Sequence, residues 1–236
     1  MERHVLVVFP HPDDESFATG GTIARYTQAG VPVTYVCATR GEMGRNMGMP
    51  IIATRESMPA LRERELREAC RILGIQDLRF LGIRDKTVEF VDPAVLDGQL
   101  EAIIREIQPS LVITYHPQYS VHPDHMALGA AVVRTLRAIP AAKRPKLYLR
   151  AFGSNVDELG EPDVVLDCSD VLSIKMAAIQ AHRSQSAASL ADLEAQMAKD
   201  PKVREEAMKQ RSEERYWIYR FDDELPAGIP KAMGNS

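Results

Sequence analysis

The stretch Val5-Leu6-Val7-Val8-Phe9-Pro10-His11-Pro12-Asp13-Asp14-Glu15 runs five apolar residues into a histidine, two prolines and three consecutive acids. The apolar run has the length and β-branched content of a strand buried on both faces, which points to a parallel sheet. A histidine and adjacent carboxylates just beyond the carboxyl end of such a strand stand where an open α/β sheet carries its chemistry. A second run, Leu111-Val112-Ile113-Thr114, leads into Tyr115-His116-Pro117-Gln118-Tyr119-Ser120-Val121-His122-Pro123-Asp124-His125. Two His/Asp clusters therefore follow two separate strands.

Between and beyond them, strand and helix patterns alternate. Thr22–Ala29 reads as a short helix closed by Gly30, and Val31–Ala38 as a second strand, so the opening is a right-handed βαβ unit. Residues 39–59 show no period and carry Gly41, Gly44 and Gly48, the pattern of a long loop over the carboxyl edge of the sheet. An amphipathic helix is expected from Pro59 to Leu73, a strand over Leu78–Leu81, and a helix from Pro93 to Ile107 capped by Asp92. A helix over Asp124–Leu136, strands over Lys146–Phe152 and Asp163–Asp167, and a helix from Val171 to His182 come next. Leu190–Tyr216 reads as helix broken near Asp200-Pro201, and Trp217–Phe221 as a last edge strand. The fold expected is α/β: a Rossmann-like, doubly wound, mostly parallel sheet with helices on both faces, in one domain over 1–221 with a loosely held tail over 222–236.

The chain has 236 residues, 45% of them hydrophobic, enough for a full core, and its net charge of -4 comes from interspersed acids and bases. No basic stripe favours nucleic acid. The three cysteines, Cys37, Cys70 and Cys168, form no CxxC pair and read as reduced structural thiols. No apolar run approaches the roughly 18 residues needed to span a bilayer. A cytoplasmic location, with neither membrane nor nucleic acid as partner, is the expectation.

If the two clusters end neighbouring strands, they meet at the switch point of the sheet. A catalytic zinc takes three His or carboxylate ligands and keeps one position for water; His11, Asp14 and His125 supply that set. Asp13, left beside the ion, is the natural general base for water. His122 and His125, three apart at a helix start, share a face: one can bind metal while the other, held by Asp124, faces substrate as an imidazolium that stabilises an oxyanion and protonates the leaving amine. The reaction class is metal-assisted amide hydrolysis. His116 reads as a turn residue, with metal ligation as its alternative, His4 as a strand-edge residue, and His182 as a helix-end cation. The rival of another class is a nucleotide-binding module, but Thr19-Gly20-Gly21 is no GxGxxG and the acids beside it would repel a pyrophosphate.

At His11-Pro12-Asp13-Asp14-Glu15 and His122-Pro123-Asp124-His125 the chain resembles the LmbE/PIG-L family of zinc-dependent N-acetylglucosamine deacetylases. The likeness extends to Gly41-Glu42-Met43-Gly44, to Arg62-Glu63-Arg64-Glu65-Leu66 and to Ala181-His182-Arg183-Ser184-Gln185. Within the family it is most similar to the bacillithiol-biosynthesis branch, through Gly41–Gly48, Leu81–Thr87 and Tyr119–His125. That resemblance implies hydrolysis of an N-acetylglucosaminyl malate, or alternatively of another N-acyl amino sugar such as N-acetylglucosamine, diacetylchitobiose or a glycopeptide-like substrate. It implies His11, Asp14 and His125 as ligands of zinc, with ferrous iron as the alternative, since His/carboxylate sets suit both. It implies Asp13 as base, His122 as oxyanion-stabilising acid and Asp124 as its orienting partner. Arg62 and Asp85 are implied as substrate contacts, with Glu42, Arg45 and Tyr119 as further candidates, and a homo-oligomer as the assembly.

Overall fold

The computed structural model describes residues 2–45, 48 and 50–222. The elements run β1 (Val5–Phe9), α1 (Asp14–Gln28), β2 (Val33–Cys37), α2 (Met58–Leu73), β3 (Asp77–Phe80), α3 (Pro93–Ile107), β4 (Leu111–Tyr115), α4 (Pro123–Arg137), β5 (Lys146–Arg150), β6 (Val164–Asp167), α5 (Leu172–Ala181), α6 (Arg183–Lys199), α7 (Pro201–Ser212) and β7 (Glu213–Ile218). All five residues of β1 are buried, because helices cover both sides of the sheet. Val5, Val7 and Phe9 face a core shared with Ile23, Leu66 and Ala178 of α1, α2 and α5. Leu6 and Val8 face the opposite core, with Leu96 and Leu100 of α3 and Leu128 and Val132 of α4.

The seven strands lie in the order β3-β2-β1-β4-β5-β7-β6. The first five are mutually parallel, and β7 runs antiparallel to both neighbours. Strand order reverses between β1 and β4, so a crevice opens beyond their carboxyl ends. Asp92 caps α3 by accepting the Ala94 N–H at 2.8 Å, and Gly74 closes α2 in the left-handed region at φ 79°, as the sequence predicts.

Three elements differ from expectation. The first helix starts at Asp14, inside the acidic run, and kinks at Thr19. Gly20-Gly21 looks like a turn in the sequence. In the fold Gly21 lets α1 come close to Cys168, whose Cβ would lie 2.5 Å from any Cβ at that position. The helix after His182 begins at Arg183 rather than Leu190, since Ser184 and Ser186 are buried by hydrogen bonds that hydropathy does not register. The last strand starts at Glu213, not Trp217, and is no edge: it sits between β5 and β6. Its inward residues, Glu214 and Tyr216, are fully buried, and the charges around them hide the period of two. Apart from Asp222, the tail expected at 222–236 lies outside the described residues.

Candidate metal centre

Strand β1 ends at Phe9, and Pro10-His11-Pro12-Asp13 turns the chain into α1. His11 donates its N–H to Asp14 Oδ2 at 2.9 Å, which brings both side chains to one side of the turn. On the neighbouring strand, β4 leads through residues 116–122 into α4, whose Gly129 lies so near the strand that a Cβ there would sit 2.3 Å from the Tyr115 carbonyl. That close approach seats the first turn of α4, and with it His125, against the end of β1.

The predicted donors meet. His11 Nδ1 is 3.1 Å from His125 Nε2 and 3.5 Å from Asp14 Oδ2, and His125 Nε2 is 3.4 Å from Asp14 Oδ1. Tetrahedral ligation with bonds of 2.0–2.1 Å separates donors by about 3.3 Å, so each nitrogen and the Asp14 oxygen nearest to it are spaced as ligands of one ion, and one donor from each of the three groups lies within 4.8 Å of the other two. His11, His122 and Asp124 also lie close enough to hold a cation. The first group fits better, because in the second the Asp124 carboxylate accepts three hydrogen bonds, one of them from His11 itself, and His122 Nδ1 is taken by the Asp124 N–H. Asp124 Oδ2 accepts from His11 Nε2 at 3.2 Å and from the Lys86 N–H at 2.8 Å, and its Oδ1 accepts the Val88 N–H at 3.1 Å. Asp85 Oδ1 lies 3.2 Å from the same His11 Nε2. A proton held at Nε2 by two carboxylates leaves Nδ1 as the bare donor facing the other two groups.

Charge agrees. Asp13, Asp14, Asp85 and Asp124 surround His11, with Arg62 as the one buried arginine among them. Burial opposes a charge on His11, yet Asp124, Asp14 and Asp85 raise its proton affinity well above that of an ordinary imidazole. Burial likewise works against the Asp14 carboxylate, but His125 and His11 hold it well below the usual range. Such a cradle is built for positive charge.

Around the triangle opens a cleft of about 360 Å³, lined also by Asp13, Arg62, Asp85, His122 and Arg45. Asp13 sits outside the donor triangle with Oδ2 2.9 Å from Arg62 Nη2, and burial pushes its carboxyl up to about 6 against the pull of that guanidinium. Glu42 is one step back, accepting the Asp85 N–H at 3.1 Å, while Asp85 Oδ2 takes the Met43 N–H at 2.8 Å. The long loop after β2 thus closes on the site, as its position suggests.

Two expected arrangements differ. Asp124 turns its carboxylate to His11 rather than to the His122 ring. His122 instead accepts the Asp124 N–H on Nδ1 at 3.1 Å, as the cap of α4. Burial and the neighbouring His11 lower the His122 pKa, opposite to the imidazolium expected there; in the neutral ring the proton therefore resides on Nε2. Tyr119 points away from the cleft, its hydroxyl 3.4 Å from Glu158 and its ring against His116. His116 is the turn residue expected, accepting the Gln118 and Tyr119 N–H groups.

Sequence reasoning passed over Tyr115, which donates to Asp14 Oδ1 at 2.8 Å and stacks on His125 with ring centroids 4.1 Å apart. The alternation Leu111, Ile113, Tyr115 on the face that also carries Val5, Val7 and Phe9 was the available signal. Lys86, lining the cleft at φ 66°, was also passed over.

A mostly parallel sheet with two histidines and a carboxylate converging at its switch point, and a further carboxylate outside the donor set beside them, defines the class of metal-assisted hydrolases. Residues 6–136 match the family model described as PIG-L, GlcNAc-PI de-N-acetylase. The chain belongs to that family. It is 49% identical over 94% of its length to all of a Bacillus cereus protein named "Probable N-acetyl-alpha-D-glucosaminyl L-malate deacetylase 2". A Bacillus subtilis protein of the same name is 47% identical, again over 94% of this chain and 100% of that one. Among solved structures, the N,N'-diacetylchitobiose deacetylase from Pyrococcus horikoshii superposes with a TM-score of 0.73 at 26% identity, covering 92% of this chain and 84% of that one.

Proposed function

We propose that this protein is a zinc-dependent de-N-acetylase of a small glucosaminide, with N-acetylglucosaminyl malate as substrate. The observation that carries the reading is the triangle of His11, Asp14 and His125 donors, drawn from segments 114 positions apart and spaced for one ion. A zinc ion held there would supply a water of lowered pKa and a Lewis acid for the amide carbonyl. The relatives' names supply the substrate.

Asp13 takes the proton of the attacking water, its carboxylate held toward the cleft by Arg62. His122 offers Nε2–H to the oxygen on which charge develops, and its capping bond fixes the tautomer that makes this possible without a resident positive charge. Asp13, once protonated, can return that proton to the departing amine. Asp124 and Asp85 act on His11 by fixing its ring and its proton. The three cysteines are free and buried, and no helix among the described residues is long and apolar enough to cross a membrane, which supports the cytoplasmic assignment we make.

Purified protein is expected to hold about one zinc per chain and to release acetate from N-acetylglucosaminyl malate faster than from N-acetylglucosamine. His125→Ala removes one donor of three and should weaken zinc affinity at least 100-fold in chelator competition. Unchanged affinity would reject the ligand set. The malate carboxylates need cations. Arg62 is committed to Asp13 and the Gly41 and Pro12 carbonyls, and Arg84 lines a separate hollow with Arg55, leaving Arg45 and Lys86 on the cleft. Lys86 is pinned by Asp124 through its N–H, so its side chain starts from a fixed point. Losing a charged hydrogen bond of about 1.5–3 kcal/mol predicts that Lys86→Met lowers the preference for the malate glycoside over a neutral glycoside about 10–100-fold, read as a ratio of kcat/KM values.

A further inference from the structure

His182 lies at the junction of α5 and α6, fully buried, and the mechanism above leaves it unused. Its Nε2–H is donated to Glu15 Oε1 at 2.6 Å, while Nδ1 is buried without a partner. The ring is therefore placed for that one bond. Ser16 Oγ donates to the same oxygen at 2.6 Å. The other oxygen, Glu15 Oε2, accepts the Asp13 N–H at 3.0 Å.

Asp13 stands at φ 114°, a conformation L-residues rarely adopt. Such backbone costs on the order of 1–3 kcal/mol and persists only where surrounding bonds determine it. Three contacts do so here. The Glu15 carboxylate takes its N–H, its carbonyl caps α1 by accepting the Ser16 and Phe17 N–H groups at 3.0 Å, and Arg62 holds its carboxylate. The charged groups facing His182 are Glu15, Asp13 and Arg62. The junction is braced in turn: Ser184 donates N–H and Oγ–H to Glu65, one turn beyond Arg62 on α2, at 2.8 and 2.6 Å. Ser186 donates N–H and Oγ–H to the His182 carbonyl. The junction of α5 and α6, remote in sequence from the chemistry, thus reaches the backbone of its base through Glu15.

We infer that His182 is a positioning residue for the deacetylation: through Glu15 it fixes the strained backbone of Asp13, and so the direction of the Asp13 carboxylate. The inference rests on the reading of Asp13 as the base. A helix-end histidine kept only for packing would support folding and leave turnover per folded, metal-loaded molecule unchanged. A positioning residue acts on kcat, because a misplacement of about 1 Å at a catalytic group costs on the order of 100-fold in rate.

Two polar replacements separate these cases. The side-chain amide of His182→Gln reaches about as far as Nε2 and can still donate to Glu15. That of His182→Asn stops near Nδ1 and cannot. With zinc-loaded protein and N-acetylglucosaminyl malate, His182→Asn is expected to lose about 10–100-fold in kcat, with KM and zinc content within about twofold of wild type. His182→Gln should recover most of that loss. Melting temperatures of both variants confirm that the comparison is between folded proteins. Equal kcat in the two variants, or a loss carried wholly by KM or zinc content, would overturn the inference. A wild-type protein that releases no acetate, or an Asp13→Asn variant of full activity, would overturn the reading beneath it and the inference with it.

Discussion

Asp13→Asn is expected to lower kcat for acetate release by about 10²–10⁴-fold while zinc content stays at the wild-type level, the range that loss of a general base produces. The substitution keeps the size of the side chain and an oxygen for Arg62, whose Nη2 now lies 2.9 Å from Oδ2, so the neighbouring backbone has no reason to move. It removes the negative charge facing Arg62 and, with it, the ability to take a proton. Because the donor triangle is made by His11, Asp14 and His125, the ion has no direct need of Asp13. The same carboxyl sets the acid limb of the rate profile. Burial raises it to about 6 against the pull of Arg62, and an ion beside it would pull it lower. Only the ionised form is a base, so kcat should rise with pH until a point at or below about 6 and then level off. Each pH unit further below that point costs about tenfold. An Asp13→Asn variant with full zinc and more than a tenth of wild-type kcat would remove the base assignment, and zinc lost together with activity would make Asp13 a ligand instead.

The sequence made the position of this centre legible because two simple signals coincide. Val5–Phe9 and Leu111–Thr114 are apolar without alternation, so both are interior strands, and each delivers His and Asp residues at its carboxyl end. That the two strands are neighbours was a condition of the reading, and the pairing of β1 with β4 meets it. The partnerships among charged residues were harder to read. Asp124 pairs with His11 across 113 positions rather than with His122 two positions away, because the His122 ring caps α4 and turns from that carboxylate. Glu15 and His182 are 167 positions apart, and Lys175 and Glu214 sit in elements whose charges look solvated in sequence. Periodicity finds apolar faces. A buried charge breaks the period where it occurs, and β7 was misplaced for that reason.

Lys175→Met is expected to cost about 3–5 kcal/mol of unfolding free energy in urea at pH 7, as removal of one member of a buried ion pair does. Lys175 Nζ lies 2.7 Å from Glu214 Oε1, with side chains 3% and 0% exposed. Glu214 also accepts the Gly21 and Thr22 N–H groups at 2.8 Å, groups that the kink at Thr19 releases from α1. Hydroxyls of Thr22 and Tyr216 complete its shell. The carboxylate therefore joins β7 to the kinked helix, and Lys175 on α5 balances its charge. Glu214→Leu should cost more than Lys175→Met, since it strands the ammonium and leaves the two amides unbonded. The double variant should recover part of the ammonium penalty and none of the amide penalty, giving a coupling energy smaller than either single loss. Acid separates this account from simple loss of packing. Burial raises the Glu214 pKa, but Lys175 and Arg150 outweigh it and hold the folded value below the ordinary 4.5. A depressed folded pKa contributes stability that is complete above 4.5 and disappears as pH falls toward the folded value. Wild type should lose stability in that window, and Lys175→Met should lose less of it, having less depression to forfeit. Parallel acid profiles for the two proteins would mean that Lys175 does not set the Glu214 charge.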